Sequence, residues 1–298
     1  MPSPFGRTCS TGSRDQAPNS VKLSALDNMR QIARDCLARA KRLLEIGDEA
    51  SVRYACFELR LCIEYVTFDQ LMVYLVEVAD DALKKWTPKQ IIDSLREVDP
   101  NADASVSIAV GIEDTPGVPA KEVTLLGEDR RFSLKWANTN HNALGNFLHA
   151  PTIEQIETRR TPGLATMVEK AKQIADTLGA ILSSPVFGVN FGQFFEFDCE
   201  DCETKIKRRE GSFTAEQGIV CPKGDCRATY DVRSVDAGLV KLGLRQTPYR
   251  CPGCQQVGVI GKHRVRDGAV TKCSACGVAV RIEQRLVAVV GGGSENEA

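Results

Sequence analysis

The chain has 298 residues, of which 43% are hydrophobic and 26% are charged. This composition excludes a wholly disordered chain and a disulfide-stapled miniprotein, and the length favours about two domains. The net charge of −1 conceals an asymmetry, because residues 240–290 hold nine Lys and Arg against two Asp and Glu. A basic C-terminal part on an acidic body indicates a negatively charged partner.

The first 20 residues lack the apolar core of a signal peptide and are predicted to be a disordered tail. The most apolar stretch, residues 61–79, is interrupted by charged side chains, so we predict no membrane span. We therefore expect a cytoplasmic protein in a reducing compartment.

Helical patterns dominate the next part of the chain. Ser24 opens a first predicted helix that Gly47 ends, and a second helix is predicted from about 48 to 86. Thr87-Pro88-Lys89-Gln90 has the form of a capping box and opens a third helix to about Val98.

The periodicity then changes. Short strands are predicted at 105–110, 122–126 and 131–136, which together form a β insertion at about 105–136. Helices are predicted over 138–149 and from Thr161 to about Leu182, and residues 185–197 are predicted to be β-like.

Eight of the twelve cysteines form four close pairs near the C-terminus, and the spacing repeats as C-x2-C-x18-C-x4-C and C-x2-C-x18-C-x2-C. The eight are Cys199, Cys202, Cys221, Cys226, Cys251, Cys254, Cys273 and Cys276. Two thiolates on one tight turn can supply one side of a tetrahedron, and a second turn supplies the other. Three further cysteines, Cys36, Cys56 and Cys62, fall on apolar helix positions and are predicted to be buried.

The pattern predicts two structural zinc ions, each held by four thiolates with no open position for water. Disulfides and iron are the alternatives, and a reducing compartment disfavours the disulfides. The natural pairing joins the first and second pairs, and the third and fourth, although spacing also permits a cross-braced arrangement. Segments 257–260 and 269–271 are predicted strands joined across the Asp267-Gly268 turn. This part of the chain resembles two zinc ribbons in tandem.

These elements predict an α+β fold in which a mainly helical N-terminal domain with a small β insertion precedes two small β zinc ribbons. The predicted boundaries are a tail at 1–20, a helical domain at 21–184, ribbon 1 at 185–238, ribbon 2 at 239–290 and a flexible tail at 291–298.

Arg60 and Glu64 stand four residues apart in an apolar helix, where they can pair on one face. This helix resembles the Arg…Glu helix of HEPN-like domains, which occur in bacterial defence and toxin–antitoxin proteins. That resemblance implies a helical bundle, but the Arg-to-His spacing of the catalytic HEPN ribonucleases is absent. The simplest interpretation is a structural ion pair.

His141 and His149 lie among four asparagines at 138–149, and on a helix they would stand about 80° apart. They could line a polar cleft, whereas helix capping and surface hydrogen bonds are the simpler interpretation.

Two basic runs fall in the ribbons, and we predict that they contact a nucleic-acid backbone. On a strand, Lys262, Arg264 and Arg266 would project from one face. The first ribbon has a similar run, Lys205, Lys207, Arg208 and Arg209. The alternative is a solvated hairpin face.

The sequence therefore predicts a non-enzymatic zinc-binding protein that contacts nucleic acid through its ribbons. In that interpretation the helical domain dimerises or recruits a partner, and a role in bacterial defence follows only from the resemblance. One alternative is a protein–protein adaptor with structural zinc ribbons. The other is a divergent HEPN-like ribonuclease that uses His141 and His149.

Overall fold

The computed structural model describes residues 28–115, 118, 120–158, 162–192, 194–209, 211–212, 218–236 and 239–283. The chain divides into two compact units. Unit 1 comprises residues 1–72 and 139–185, and unit 2 comprises residues 73–138 and 186–298.

Six α-helices lie in the described residues: α1 (Met29–Ile46), α2 (Glu49–Val73), α3 (Pro88–Val98), α4 (Leu134–Leu148), α5 (Ile153–Glu157) and α6 (Leu164–Leu182). Helix α1 ends where Gly47 adopts a left-handed φ of 76° and donates its N–H to the Leu43 carbonyl. Helix α1 packs against α6 in unit 1.

The core of unit 1 is built from one face each of α1, α2 and α6, with Leu144 from α4. Cys36, Cys56 and Cys62 are fully buried in it, as the sequence predicts. Burial raises the pKa of the Cys36 and Cys56 thiols to about 11. These thiols therefore act as small apolar side chains.

The predicted second helix is too long. Helix α2 ends at Val73, and a separate 3-10 turn covers Asp80–Lys84. Between them the N–H groups of Glu77 and Val78 both bond to the Tyr74 carbonyl, which tightens the last turn and ends the helix.

The capping signal at Thr87 is confirmed. Its side chain accepts a hydrogen bond from the backbone N–H of Gln90, and Pro88 is the first residue of α3. Ile91, Ile92 and Leu95 of this helix are fully buried in unit 2.

The β insertion has two strands instead of three. Strands β1 (Val106–Val110) and β2 (Thr124–Asp129) form an antiparallel hairpin with a bulge after Ile108. The third predicted strand is wrong, because α4 begins at Leu134. The Ser133 hydroxyl accepts from the Trp136 N–H, and this local cap favours a helix over an extended chain.

Nine short strands follow: β3 (Phe194–Asp198), β4 (Lys205–Arg209), β5 (Ile219–Val220), β6 (Thr229–Asp236), β7 (Leu239–Leu244), β8 (Gln246–Arg250), β9 (Val257–Gly261), β10 (Val270–Lys272) and β11 (Ala279–Arg281). Strands β3 and β4 pair with each other, and β5, β6 and β7 form a three-stranded antiparallel sheet.

In the second ribbon, β8 pairs with β9 and β10 pairs with β11. The predicted pairing of 257–260 with 269–271 is therefore wrong. Lys262–Arg264 forms a 3-10 turn, so these residues do not alternate along a strand. Each hairpin instead turns at its own cysteine pair.

The α+β class is confirmed, with helices over residues 29–182 and small antiparallel hairpins in the C-terminal part. Among the described helices, none combines the length and apolarity that a bilayer span needs. The two predicted tails and the helix-start residue Ser24 lie outside the described residues. The predicted domain boundaries and cellular location stay predictions.

Candidate metal centres

The first four cysteines converge at one point in unit 2. The Sγ atoms of Cys199 and Cys226 lie 3.8 Å apart, and those of Cys202 and Cys221 lie 3.6 Å apart. All four ligand atoms lie within 4.8 Å of one another. The first cysteine pair therefore joins the second, and we call this cluster site 1.

The last four cysteines make the same arrangement, which we call site 2. Its Sγ–Sγ distances are 3.7 Å between Cys251 and Cys276 and 3.8 Å between Cys254 and Cys273. A regular tetrahedron with metal–sulfur bonds of about 2.3 Å has edges of about 3.8 Å. Both clusters therefore have the size that a four-thiolate zinc ion requires.

Each cysteine pair occupies the tip of a hairpin, and a common turn positions its sulfurs. In three turns the N–H of a residue after the pair bonds to the carbonyl of the first cysteine, as Glu203 does to Cys199 at 2.8 Å. The residue after the second cysteine is left-handed in all four turns: Glu203, Arg227, Gln255 and Gly277, with φ between 55° and 76°. The turn geometry therefore imposes a conformation that only glycine adopts without cost.

Site 1 is embedded in a small core formed by Cys199, Ile206, Cys221, Tyr230 and Val232. The Tyr230 hydroxyl lies 3.3 Å from the Cys199 Sγ and accepts the N–H of Glu200 at 2.8 Å. Such a hydroxyl donates a hydrogen bond to a ligating sulfur, which orients the sulfur and stabilises its negative charge.

Site 2 is more exposed than site 1, and backbone N–H groups donate hydrogen bonds to its sulfurs. Hydrogen bonds from the backbone N–H groups of Cys276 and Ala275 lower the pKa of Cys273 to about 6. A thiolate is the form that binds zinc, so this turn favours the ligating state at Cys273, whereas contacts with the other cysteines raise the pKa of Cys276 to about 12.

Asp201, between the first two zinc ligands, joins the two ribbons. Its carboxylate accepts from His263 Nε2 at 3.1 Å and from Arg264 Nε at 3.0 Å, and it also pairs with the Arg264 Nη2. Burial acts to raise the pKa of Asp201, but these two partners outweigh it and hold that pKa below its usual value. Arg264 is therefore already paired within the protein.

The side chains in the basic run of the first ribbon contact other residues of the protein. Lys205 and Lys207 each approach Glu196 on the neighbouring strand at 3.7 Å. Arg208 is buried and donates to the carbonyls of Glu77 at 2.9 Å and Val220 at 3.1 Å. Burial lowers the pKa of Arg208.

Arg209 is the centre of a buried charge network in unit 2 that no local sequence pattern predicts. Its guanidinium lies 3.1 Å from Asp99 and 4.0 Å from Glu77, which is 1% exposed. Asp99 also accepts the Tyr74 hydroxyl at 2.7 Å, and Asn190 donates to Glu77 at 2.6 Å. The network attaches β4 to the residues around α3.

The segment 239–283 has a different surface. It contains eight Lys and Arg against two Asp and Glu. Arg245 pairs with Asp231 and Arg264 with Asp201. The other six are exposed, and within the described chain none is paired with a carboxylate: Lys241, Arg250, Lys262, Arg266, Lys272 and Arg281.

Of the polar residues that the sequence predicts as a possible site in the helical part, the structure brings only three together. In unit 1, the Glu64 carboxylate accepts from His141 Nε2 at 2.7 Å and lies 3.6 Å from Arg60 Nε. His141 is 5% exposed. His149 follows the end of α4 and lines a separate cavity of about 200 Å³ with Arg53. The two histidines therefore have different surroundings.

Comparison of the chain with protein-family models, with curated proteins and with solved structures finds no match. The tandem four-cysteine clusters carry the resemblance to zinc ribbons. The resemblance of the helical part to HEPN-like domains is not shown by any family match.

Proposed function

We propose that this chain is a zinc-binding protein whose second ribbon contacts the phosphate backbone of nucleic acid. The observation that carries the proposal is the set of six exposed cations on segment 239–283. Loading site 2 with zinc changes its charge by only two negative units, because four thiolates surround one divalent ion. The segment stays basic, and each cation that contacts a phosphate releases counterions.

The strand register supports a common contact surface. Lys272 is opposite Ala279 and Val270 is opposite Arg281, so Lys272 and Arg281 lie diagonally on one face of the β10–β11 hairpin. All four of these residues are exposed. We propose that Lys262 adds to this surface, whereas Arg208 and Arg209 serve the buried network.

The test is a titration of labelled single-stranded and duplex nucleic acid by zinc-loaded protein across a salt series. We expect a log–log slope of several negative units. Replacing Lys262, Lys272 and Arg281 by Ala should reduce the slope by about 2 to 3, since each phosphate contact contributes roughly 0.7 to 0.9.

The matched control removes three exposed cations from other parts of the chain, namely Arg42, Lys135 and Lys172. This variant has the same net charge as the first but should keep the wild-type slope. Equal losses in both variants would mean that net charge, rather than the second ribbon, attracts the nucleic acid. Absence of binding at low salt would overturn the proposal.

A second role, self-association, is favoured by the β1–β2 hairpin of unit 2. Val110, Val123 and Leu125 are exposed by 51%, 63% and 67%. The hairpin is a two-stranded sheet, so each strand keeps one outer edge free of the other described strands. A second copy can pair the same edge antiparallel about a twofold axis.

Light scattering after size-exclusion chromatography tests this role. We expect a concentration-dependent dimer that Leu125→Lys returns to monomer, while Val257→Lys, on an equally exposed strand position of the second ribbon, leaves it intact. A wild-type monomer at 100 µM, a concentration on the order of that at which weak dimers form, would overturn it.

A further inference from the structure

A cavity of about 350 Å³ lies between the two ribbons of unit 2. Ribbon 1 contributes Asp201 and Asp225 to its lining, and ribbon 2 contributes His263, Arg264, Arg266 and Thr271. The cavity is mainly polar and is large enough for a purine ring. Lys262, an exposed cation of the proposed nucleic-acid contact, precedes the lining residue His263.

The charged groups of this cavity fall into two sets. Asp201 is paired with Arg264 and His263, and these contacts join the walls. Gly261 allows the imidazole to lie there, since a Cβ at this position would come within 2.4 Å of His263 Cε1. This first set is therefore structural.

The second set is available to a ligand. Within the described chain, neither Asp225 nor Arg266 is paired with an oppositely charged side chain, and both are exposed. Arg266 is held at a tight turn, where its carbonyl accepts the N–H of Ala269 at 3.1 Å. The cavity thus presents one carboxylate from ribbon 1 and one guanidinium from ribbon 2.

A carboxylate accepts two hydrogen bonds and a guanidinium donates two in a fixed fork. Guanine offers two adjacent donors, N1–H and the 2-amino group, and two adjacent acceptors, O6 and N7. Adenine, cytosine and uracil do not present both pairs. Val270, which also lines the cavity and is exposed, supplies apolar surface for one face of the ring.

We propose that this cavity binds an unpaired guanine base, with Asp225 accepting from its N1 and 2-amino groups and Arg266 donating to O6 and N7. The inference deepens the proposed nucleic-acid contact and rests on it. Backbone contacts supply most of the affinity, and the cavity adds a base preference. A paired guanine cannot present its N1 edge, so the ligand is single-stranded.

The test uses the zinc-loaded full chain and oligouridine that carries one central purine. Fluorescence anisotropy compares guanosine with inosine, which lacks the 2-amino group, and with 7-deazaguanosine, which lacks N7. Each replacement should weaken binding about tenfold, because a good bidentate contact discriminates by about that factor or more.

Variants assign each contact. In Asp225→Ala the difference between guanosine and inosine should disappear, and in Arg266→Ala the difference between guanosine and 7-deazaguanosine should disappear. Glu283→Ala, which removes an exposed carboxylate of ribbon 2 outside the cavity lining, should keep both differences. Because Asp225 precedes a zinc ligand, each variant must hold two zinc ions per chain, and the modified bases test the wild-type protein without any substitution.

The outcomes separate the two proposals. Equal binding of all three oligonucleotides with a normal salt slope overturns the guanine site and leaves the backbone contact standing. Failure of every oligonucleotide to bind overturns both. Guanosine monophosphate should compete only weakly, and competition as strong as that of the oligonucleotide would make the cavity a mononucleotide site and overturn the proposal.

Discussion

Replacing Arg209 by Leu tests whether this arginine of the first basic run stabilises the fold or contacts nucleic acid. The substitution leaves two buried carboxylates, Asp99 at 5% and Glu77 at 1% exposure, without their cation. Breaking a buried ion pair costs about 3 to 5 kcal/mol. Asp99 keeps its hydrogen bonds from the Tyr74 hydroxyl and the Asn101 N–H, which places the cost near the lower end, at about 3 kcal/mol.

For a unit of this size, 1 kcal/mol corresponds to roughly 2 to 4 °C in Tm. We therefore expect the melting transition of unit 2 to fall by about 6 to 12 °C. Nucleic-acid affinity, measured on the folded variant well below that transition, should not change. The matched control Arg281→Leu removes an exposed arginine and should move stability by no more than about 0.5 kcal/mol while weakening binding.

Differential scanning calorimetry and the salt-series titration measure the two effects on the same preparations. The refuting result is an Arg209→Leu variant that melts like the wild type but loses affinity. Arg209 would then be a surface contact, as the basic run in the sequence predicts, and the buried network would not hold β4.

Three further predictions concern the metal sites and the remaining thiols. Tyr230→Phe should lower the zinc affinity of site 1 about 10- to 100-fold in a chelator competition, because Cys199 loses its hydroxyl neighbour. The control Tyr249→Phe should leave this affinity unchanged, and equal affinities of the two variants would contradict the role of Tyr230. The backbone of Gln255 is left-handed, so in thermal melts Gln255→Gly should raise the stability of the second ribbon by about 1 kcal/mol and Gln255→Val should lower it by about 1 kcal/mol. The reverse order would contradict the left-handed conformation of this turn. The twelfth cysteine, Cys9, falls in the predicted N-terminal tail and is replaced by Ser for an alkylation test. In the zinc-loaded Cys9→Ser chain, Cys36 and Cys56 should resist alkylation at pH 8, where a pKa of about 11 leaves about one thiolate in a thousand. Chelation should expose only the eight site cysteines, and earlier labelling of Cys36 would count against its burial.

The metal centres are the part of the molecule that sequence reasoning predicts best. Spacing alone indicated which turns carry sulfurs, because a C-x2-C turn admits few geometries, and the sulfur distances confirm that the first pair joins the second. The spacing could not say which strands pair. Each cysteine pair makes its own hairpin, so β9 and β10 do not meet as the Asp267-Gly268 turn signal indicated.

The charged residues are where local patterns fall short. Arg208 and Arg209 read as part of an exposed run, yet their partners Glu77 and Asp99 lie more than a hundred residues earlier. Asp201 and Arg264 are also distant, 63 residues apart in sequence. A basic residue looks the same in sequence whether it faces solvent or a buried carboxylate, and only the tertiary fold distinguishes them.

The measurement that tests the central claim most directly is the metal content and metal–sulfur distance of the purified full chain. Elemental analysis should find two zinc ions per chain, and X-ray absorption should find four sulfurs at about 2.3 Å around each. Conversion of Cys251 to Ser should reduce the count to one while site 1 keeps its four sulfurs. Iron at either site, fewer than two metal ions, or disulfide-linked cysteines in the folded protein would contradict the account.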